Sequence, residues 1–289
     1  MPAALIKWER EGNAMKFDFD KGWTEALAMI RSNFGLLATI AGVLIFLPSA
    51  FAAILFPDAS LQIAGGNSAQ PDMDQLQAAM QTLVAEYWWL FLIVFLLTSL
   101  AQLAMFAFMR RRASPTVGEA LGTAAGLLPS FVGAYILQVL ALTVPYVLLV
   151  ALPAFAGLAP IALVGALVMI PLVIYLMIKF SLTTAVIGLE GERNPVAALR
   201  RSWKLTKGNS FRLLGFYLLL AVAAFILFLL AGWIVGLVFS FGGPETVSFG
   251  TALFAGVVDA LSSVFMVSIF AAIHAQLSRL SVADDSLEA

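Results

Sequence analysis

Asp259 stands about ten residues into a long apolar run, in the stretch "AGVVDALSSVFMVS". An aspartate at that depth in a hydrocarbon core costs on the order of 2.5–3.5 kcal/mol. Ser262 and Ser263 follow at three and four residues, on the same helical face. Gln138 lies in another apolar run as a further intramembrane polar group. Two chemistries fit this set. The carboxylate could face a wet cavity and serve proton-coupled work, or it could tie helices together through Tyr135, Gln138 or Gln102. The single histidine, His274, lies at the polar end of the same run, where it meets headgroups rather than protons; Lys179 is placed to snorkel. With one histidine and no cysteine, a multi-histidine metal site, a disulfide and a thiolate site are excluded within the chain. No catalytic triad, paired catalytic carboxylates or nucleotide motif is found. The glycine pieces "AGG" and "FGGP" lie in no strand-to-helix loop, so they match no phosphate-binding pattern. No cofactor, no metal and no enzymatic activity are expected.

A second set of residues is cationic. In "NPVAALRRSWKLTKGNSFRLL", residues 194–214, Arg200, Arg201, Lys204 and Lys207 fall within eight positions. At 100° per residue, Val196, Leu199, Ser202, Trp203 and Thr206 share one side of a helix, with Leu205 at its margin. The four cations share the other. Asn194 suits the N-cap, Pro195 the first helical position and Gly208 the stop. The pattern is that of an amphipathic helix lying at a membrane surface, with Trp203 at headgroup depth. Each cation near an anionic leaflet is worth about 1 kcal/mol. Arg200, Arg201, Trp203, Lys204 and Lys207, with Arg110, Arg111 and Arg112, are therefore the candidate headgroup-binding residues. Such helices could only fix topology and brace a bundle, or they could dock anionic lipid specifically. The apolar half needs lipid, so a nucleic-acid partner is not expected.

The elements that must position these residues are membrane spans. The chain of 289 residues is 62% hydrophobic and 11% charged, with a mean hydropathy of +0.98. Six apolar runs, at about 35–56, 88–109, 130–152, 158–180, 212–240 and 250–275, are long enough to cross a core about 30 Å thick. Pro48, Pro145 and Pro171 inside them predict kinks. All 16 cations fall before the first run, between the second and third, between the fourth and fifth or at their adjoining ends (Lys179 and Arg212), or after the sixth. By the positive-inside rule both termini are cytoplasmic, in a bacterial inner membrane.

The expected fold is all-α and polytopic: six transmembrane helices in a single membrane domain over 1–289, built of three units at about 15–112, 113–189 and 190–289. In each, a cytoplasmic amphipathic helix precedes a transmembrane hairpin. The units share an Ala-Leu pair ahead of each odd-numbered span: Ala26-Leu27, Ala120-Leu121 and Ala198-Leu199. In the first unit Trp23, Leu27, Ile30 and Phe34 form one apolar stripe. Residues 1–14 read as a disordered or upstream extension, with Met15 the more natural start. The first outer loop reads as polar chain, then a surface helix from Asp72 that runs into the aromatic belt at Tyr87, Trp88 and Trp89.

The segment "YLMIKFSLTTAVIGLEGERNPVAALRRSWKLTKGNSFRLLGFYLL", 175–219, resembles the glycerophosphoryl diester phosphodiesterase membrane-domain family and related bacterial six-helix membrane proteins. Glu190, Ala198, Leu199, Arg201, Ser202, Trp203, Leu205, Thr206 and Gly208 stand at the matching places, and the "MKFDFDKGWTEAL" start is also similar. Lys179 and Ile187 depart from the pattern, where relatives often carry Arg and Pro. The family takes its name from proteins fused to a phosphodiesterase barrel, which needs about 250 residues of its own; the resemblance therefore implies the membrane fold without catalysis. The expected function is handling, organising or sensing of membrane lipids, anionic ones above all. The alternatives are a small-solute transporter or channel built on Asp259, and a scaffold for a membrane-protein partner.

Overall fold

The computed structural model describes residues 16–55, 73–110 and 116–287, and every regular element among them is helical. In chain order they are α1 (Phe19–Ala41), a π-helical turn (Gly42–Phe46), α2 (Leu47–Leu55), α3 (Met73–Arg110) and α4 (Val117–Tyr146). A second π turn (Val147–Ala151), α5 (Leu152–Phe155), α6 (Ala159–Phe180), α7 (Thr183–Ala185) and a third π turn (Val186–Glu190) follow. The chain closes with α8 (Pro195–Thr206), α9 (Ser210–Ser240) and α10 (Pro244–Leu287). Six stretches are long and apolar enough to cross a membrane: Phe19–Ala52, Val84–Arg110, Val117–Phe155, Ala159–Glu190, Ser210–Ser240 and Phe249–Ser281. The protein is an all-α, polytopic membrane protein. Residues 1–14, Arg111, Arg112 and the polar part of the loop between the first and second spans lie outside the described residues.

The amphipathic segments ahead of the first and second hairpins are continuous with their spans, as α1 and α4. Only α8 is set off from its span, because Gly208 takes φ +81° and turns the chain before α9. Asp18 caps α1, accepting from the Asp20 and Lys21 amides at 3.0 and 3.3 Å. Thr116 and Glu119 form a reciprocal capping box on α4. In α3 the backbone leaves helical geometry at Tyr87, φ −117° and ψ 16°, so the segment before it and the span after it meet at a kink.

Proline shapes the spans through π turns. The first turn closes with the Leu47 amide on the Gly42 carbonyl, and Pro48 follows; the second closes with Leu152 on Val147, and Pro153 follows. Widening the ladder one residue ahead of a proline accommodates a residue that has no N–H to donate. The second turn also needs a small neighbour: a Cβ on Gly165 of α6 would run into the Leu149 carbonyl. Pro145 and Pro171 lie within α4 and α6.

The chain divides into two compact units. Unit 1 comprises residues 1–32, 103–220 and 267–289, and unit 2 comprises 33–102 and 221–266. The core of unit 1 includes Phe17, Phe106, Leu182, Ile187, Leu213, Ile269 and Ile273; that of unit 2 includes Leu37, Ile40 and Ile45.

Candidate functional site

Unit 1 holds a network of polar groups at the ends of its helices. The third π turn ends on Gly191, whose φ of +74° closes the helix and whose missing side chain leaves room for the Arg110 guanidinium. Just before it, Gly188 lets the turn lie directly on Phe106; a Cβ there would meet the phenylalanine's own Cβ. Glu190 closes the turn and reaches two other helices. Its Oε1 lies 2.8 Å from Nε2 of His274 on α10 and accepts from Nε of Arg201 on α8 at 3.1 Å. His274 is only 8% exposed, so the histidine is a helix-joining group inside the unit instead of a surface group.

Helix α8 begins as its sequence dictates. Asn194 Oδ1 accepts from the Val196 and Ala197 amides at 2.9 and 3.2 Å, Pro195 follows, and the helix ends before Gly208. Its inward face is Ala198, Ser202, Leu205 and Thr206: Ser202 and Thr206 lie on the side the sequence reads as apolar, with Leu205 at its margin, whereas Val196 of that side is exposed. These four recur at i, i+4, i+7 and i+8 and are small enough, Leu205 aside, to bring the helix close to its neighbours. The hydroxyls are satisfied locally: Ser202 Oγ donates to the Lys179 carbonyl at 2.7 Å and Thr206 Oγ1 to the Ser202 carbonyl at 3.0 Å. At the helix start, Pro195 lies against Gly133 of α4, and Ser130 Oγ donates to the Glu192 carbonyl at 3.2 Å. Protein therefore covers the face that a surface anchor would give to lipid.

The cations of α8 divide accordingly. Arg200, Lys204 and Lys207 are exposed, whereas Arg201 is held by Glu190. Trp203 packs its ring against Tyr175 and Phe180 of α6, with centroids at 5.5 and 5.7 Å. The stem of Lys179 is covered by protein, the residue being 4% exposed, and its ammonium lies 5.5 Å from the ring centres of both Tyr175 and Trp203.

The segment ahead of α1 is pinned in the same unit. Asn209 Oδ1 accepts from the Phe17 amide at 2.9 Å, and Arg212 donates to the Phe17 carbonyl at 3.1 Å. With its amide oxygen and nitrogen exchanged, the orientation that satisfies both groups, Gln276 accepts from the Asp18 N–H at 2.9 Å and donates to the Asp18 carbonyl at 3.3 Å. Phe17 is buried edge-on against Phe216, centroids 5.3 Å apart.

No family model, no curated protein and no solved structure matches the chain. Its chemistry has to be read from its own geometry.

In unit 2, Asp259 is half-buried and accepts a hydrogen bond from Ser49 Oγ of α2 at 2.6 Å. Its partner is thus Ser49, where the sequence suggested Tyr135, Gln138 or Gln102. Ser262 is half-buried and Ser263 buried on the same helix; Gln138, on α4 in unit 1, is half-buried. Two cavities flank the first π turn. The larger, about 630 Å³, is lined by apolar residues that include Phe46, Pro48, Phe51, Trp89, Val94 and Leu97. The smaller, about 210 Å³, lies against Phe34, Ala38, Gly42, Phe46, Leu261 and Val264. Phe46 belongs to both linings. In the first-unit stripe, Trp23 and Phe34 are 42% and 59% exposed, so that stripe turns outward while Ala26 and Leu37 face inward.

Among the described residues no group of three or more His, Cys, Asp or Glu side chains is gathered as a metal centre would need.

Proposed function

We propose that this is a non-enzymatic multi-pass protein of the bacterial inner membrane that holds membrane lipid from the side. In this reading both termini are cytoplasmic, an acyl chain occupies the larger cavity of unit 2, and the exposed Arg200, Lys204 and Lys207 favour anionic headgroups. The observation that carries the reading is the 630 Å³ cavity and its wholly apolar set of lining residues. That size lies within the range of small-molecule sites. Trp89, Ile93 and Leu97 line it at successive turns of α3, a rise of about 12 Å at 1.5 Å per residue. Tryptophan at one end and aliphatic side chains further along match the passage from headgroup region to hydrocarbon. An acyl chain laid along α3 meets chemistry of its own kind over that whole length.

Transport through Asp259 has less support. A solute path needs polar lining that leads to the carboxylate, whereas the cavities beside α1 and α2 are apolar and the carboxylate is engaged by Ser49. Val94→Trp, which fills the larger cavity, tests the lipid reading by native mass spectrometry of the protein released from nanodiscs. Loss of co-purifying lipid is the expected result, and unchanged lipid retention would sink it.

A further inference from the structure

The two cavities of unit 2 lie at successive levels of the same two helical segments. Along the first span, Phe34, Ala38 and Gly42 line the smaller, Pro48 and Phe51 line the larger, and Phe46 lines both. On α10, Val264 and Val257 line the smaller and Leu253 the larger, so both helices give the same order. From Phe34 to Phe51 the first span rises about 25 Å at 1.5 Å per residue. A hydrocarbon core is about 30 Å thick, so the two linings together reach across most of it. Where they meet, the Phe46 ring lies against Gly256 of α10, 3.1 Å from where a Cβ would stand. Close by, the Ser49–Asp259 hydrogen bond ties α2 to α10. No charged side chain lines either cavity. Phe34 and Leu261 of the smaller lining and Phe51 and Ile93 of the larger are exposed, so both are reached from the surrounding hydrocarbon.

We infer that the two cavities form one track for a single lipid chain longer than one leaflet, of the polyisoprenyl type. This rests on the lipid reading and deepens it by naming the chain. An ordinary acyl chain ends near the midplane, and the larger cavity alone takes it. A longer chain that continues past Phe46 meets a second apolar lining, and each methylene laid there adds to affinity. A headgroup cannot follow, because past Phe46 the lining offers it no hydrogen-bonding side chain. The track therefore holds a chain across the midplane and does not pass a headgroup. Gly42 keeps the smaller cavity open, since a Cβ there meets no atom within 4 Å.

The test is native mass spectrometry of the full chain in maltoside micelles, titrated separately with undecaprenyl phosphate and farnesyl phosphate. The two probes share a headgroup and a repeating unit and differ only in chain length. Gly42→Leu fills the smaller cavity from the first span, and Ala260→Leu fills it from α10. Comparing each variant with wild type cancels the preference of the micelle for the longer probe. Wild type should retain undecaprenyl phosphate about tenfold or more above farnesyl phosphate, a gain that burying about two further methylenes supplies. Gly42→Leu and Ala260→Leu should each lower that ratio about tenfold. Val94→Trp, which fills the larger cavity, should weaken both probes. A wild-type ratio near one, or a ratio that neither Gly42→Leu nor Ala260→Leu changes, overturns the track. If Val94→Trp still weakens both probes in that case, the acyl cavity stands without the track. If Val94→Trp changes neither probe, the lipid reading itself fails. If Gly42→Leu does not fold, Ala260→Leu decides alone.

Discussion

His274 Nε2 lies 2.8 Å from Glu190 Oε1, joining the last helix to the turn that precedes α8. Arg201 shares the same oxygen at 3.1 Å, so one carboxylate fixes three elements of unit 1. Glu190→Ala should lower stability by about 1–3 kcal/mol, since it leaves a buried histidine and a half-buried arginine without their acceptor. His274→Ala and Arg201→Ala should each cost less, and their effects should be non-additive with Glu190→Ala. A double-mutant cycle on thermal unfolding in detergent checks this; additive effects would mean that the three groups do not act together.

The division of the α8 cations predicts two different phenotypes. Arg200→Gln and Lys204→Gln should reduce the preference for anionic over zwitterionic lipid and leave the melting temperature within about 0.5 kcal/mol equivalent of wild type. Arg201→Gln should do the reverse, lowering the melting temperature with little change in lipid preference. The same lipid-retention assay and a thermal melt on each variant separate the two.

Ser49 and Asp259 form a pair across unit 2 at 2.6 Å. Ser49→Ala should destabilise by about 1–2 kcal/mol by removing the donor from a half-buried carboxyl. Asp259→Asn keeps an acceptor oxygen for Ser49 and should be milder, with lipid retention unchanged. A strong loss of lipid retention in Asp259→Asn would restore a direct role for this residue.

Glycine at 188 is required by contact, since the third π turn lies directly on Phe106. Gly188→Ala should cost about 1–3 kcal/mol through overpacking. Gly215→Ala is the control. The nearest atom to a Cβ there is the Phe19 ring at 3.7 Å, an ordinary contact, so it should be neutral or slightly stabilising within a helix. Equal destabilisation by both would mean that the close crossing at Phe106 is not what the glycine serves.

Much of the architecture was legible because hydrophobic length is a local property. The fourth and fifth runs, read as about 158–180 and 212–240, emerge as Ala159–Phe180 and Ser210–Ser240. The Asn194, Pro195 and Gly208 signals bound α8 as their chemistry requires. The side of that helix read as apolar includes the buried Ser202 and Thr206, with Leu205 at its margin, but Ala198 also turns inward while Val196 is exposed. Ser202 and Thr206 score as polar, yet as small hydroxyls bonded to backbone carbonyls they pack closer than Trp203 could. The π turns were equally hidden, although each of the first two precedes a Leu-Pro pair whose significance appears only beside the widened ladder. The pairs Glu190–His274 and Ser49–Asp259 join residues 84 and 210 positions apart, which no local pattern can connect. Glu190 stood out only through the resemblance of 175–219 to six-helix membrane proteins, with no hint of its partners.

The central claim is that lipid enters the apolar cavity along Trp89, Ile93 and Leu97 of α3. Its most direct test is to reconstitute wild type and Val94→Trp in nanodiscs of phosphatidylglycerol and phosphatidylcholine, release the protein, and count the lipids that stay bound by native mass spectrometry. The account predicts a defined lipid on wild type and at least a tenfold loss in the folded variant. Equal lipid retention in the two proteins, with equal melting temperatures, would contradict it.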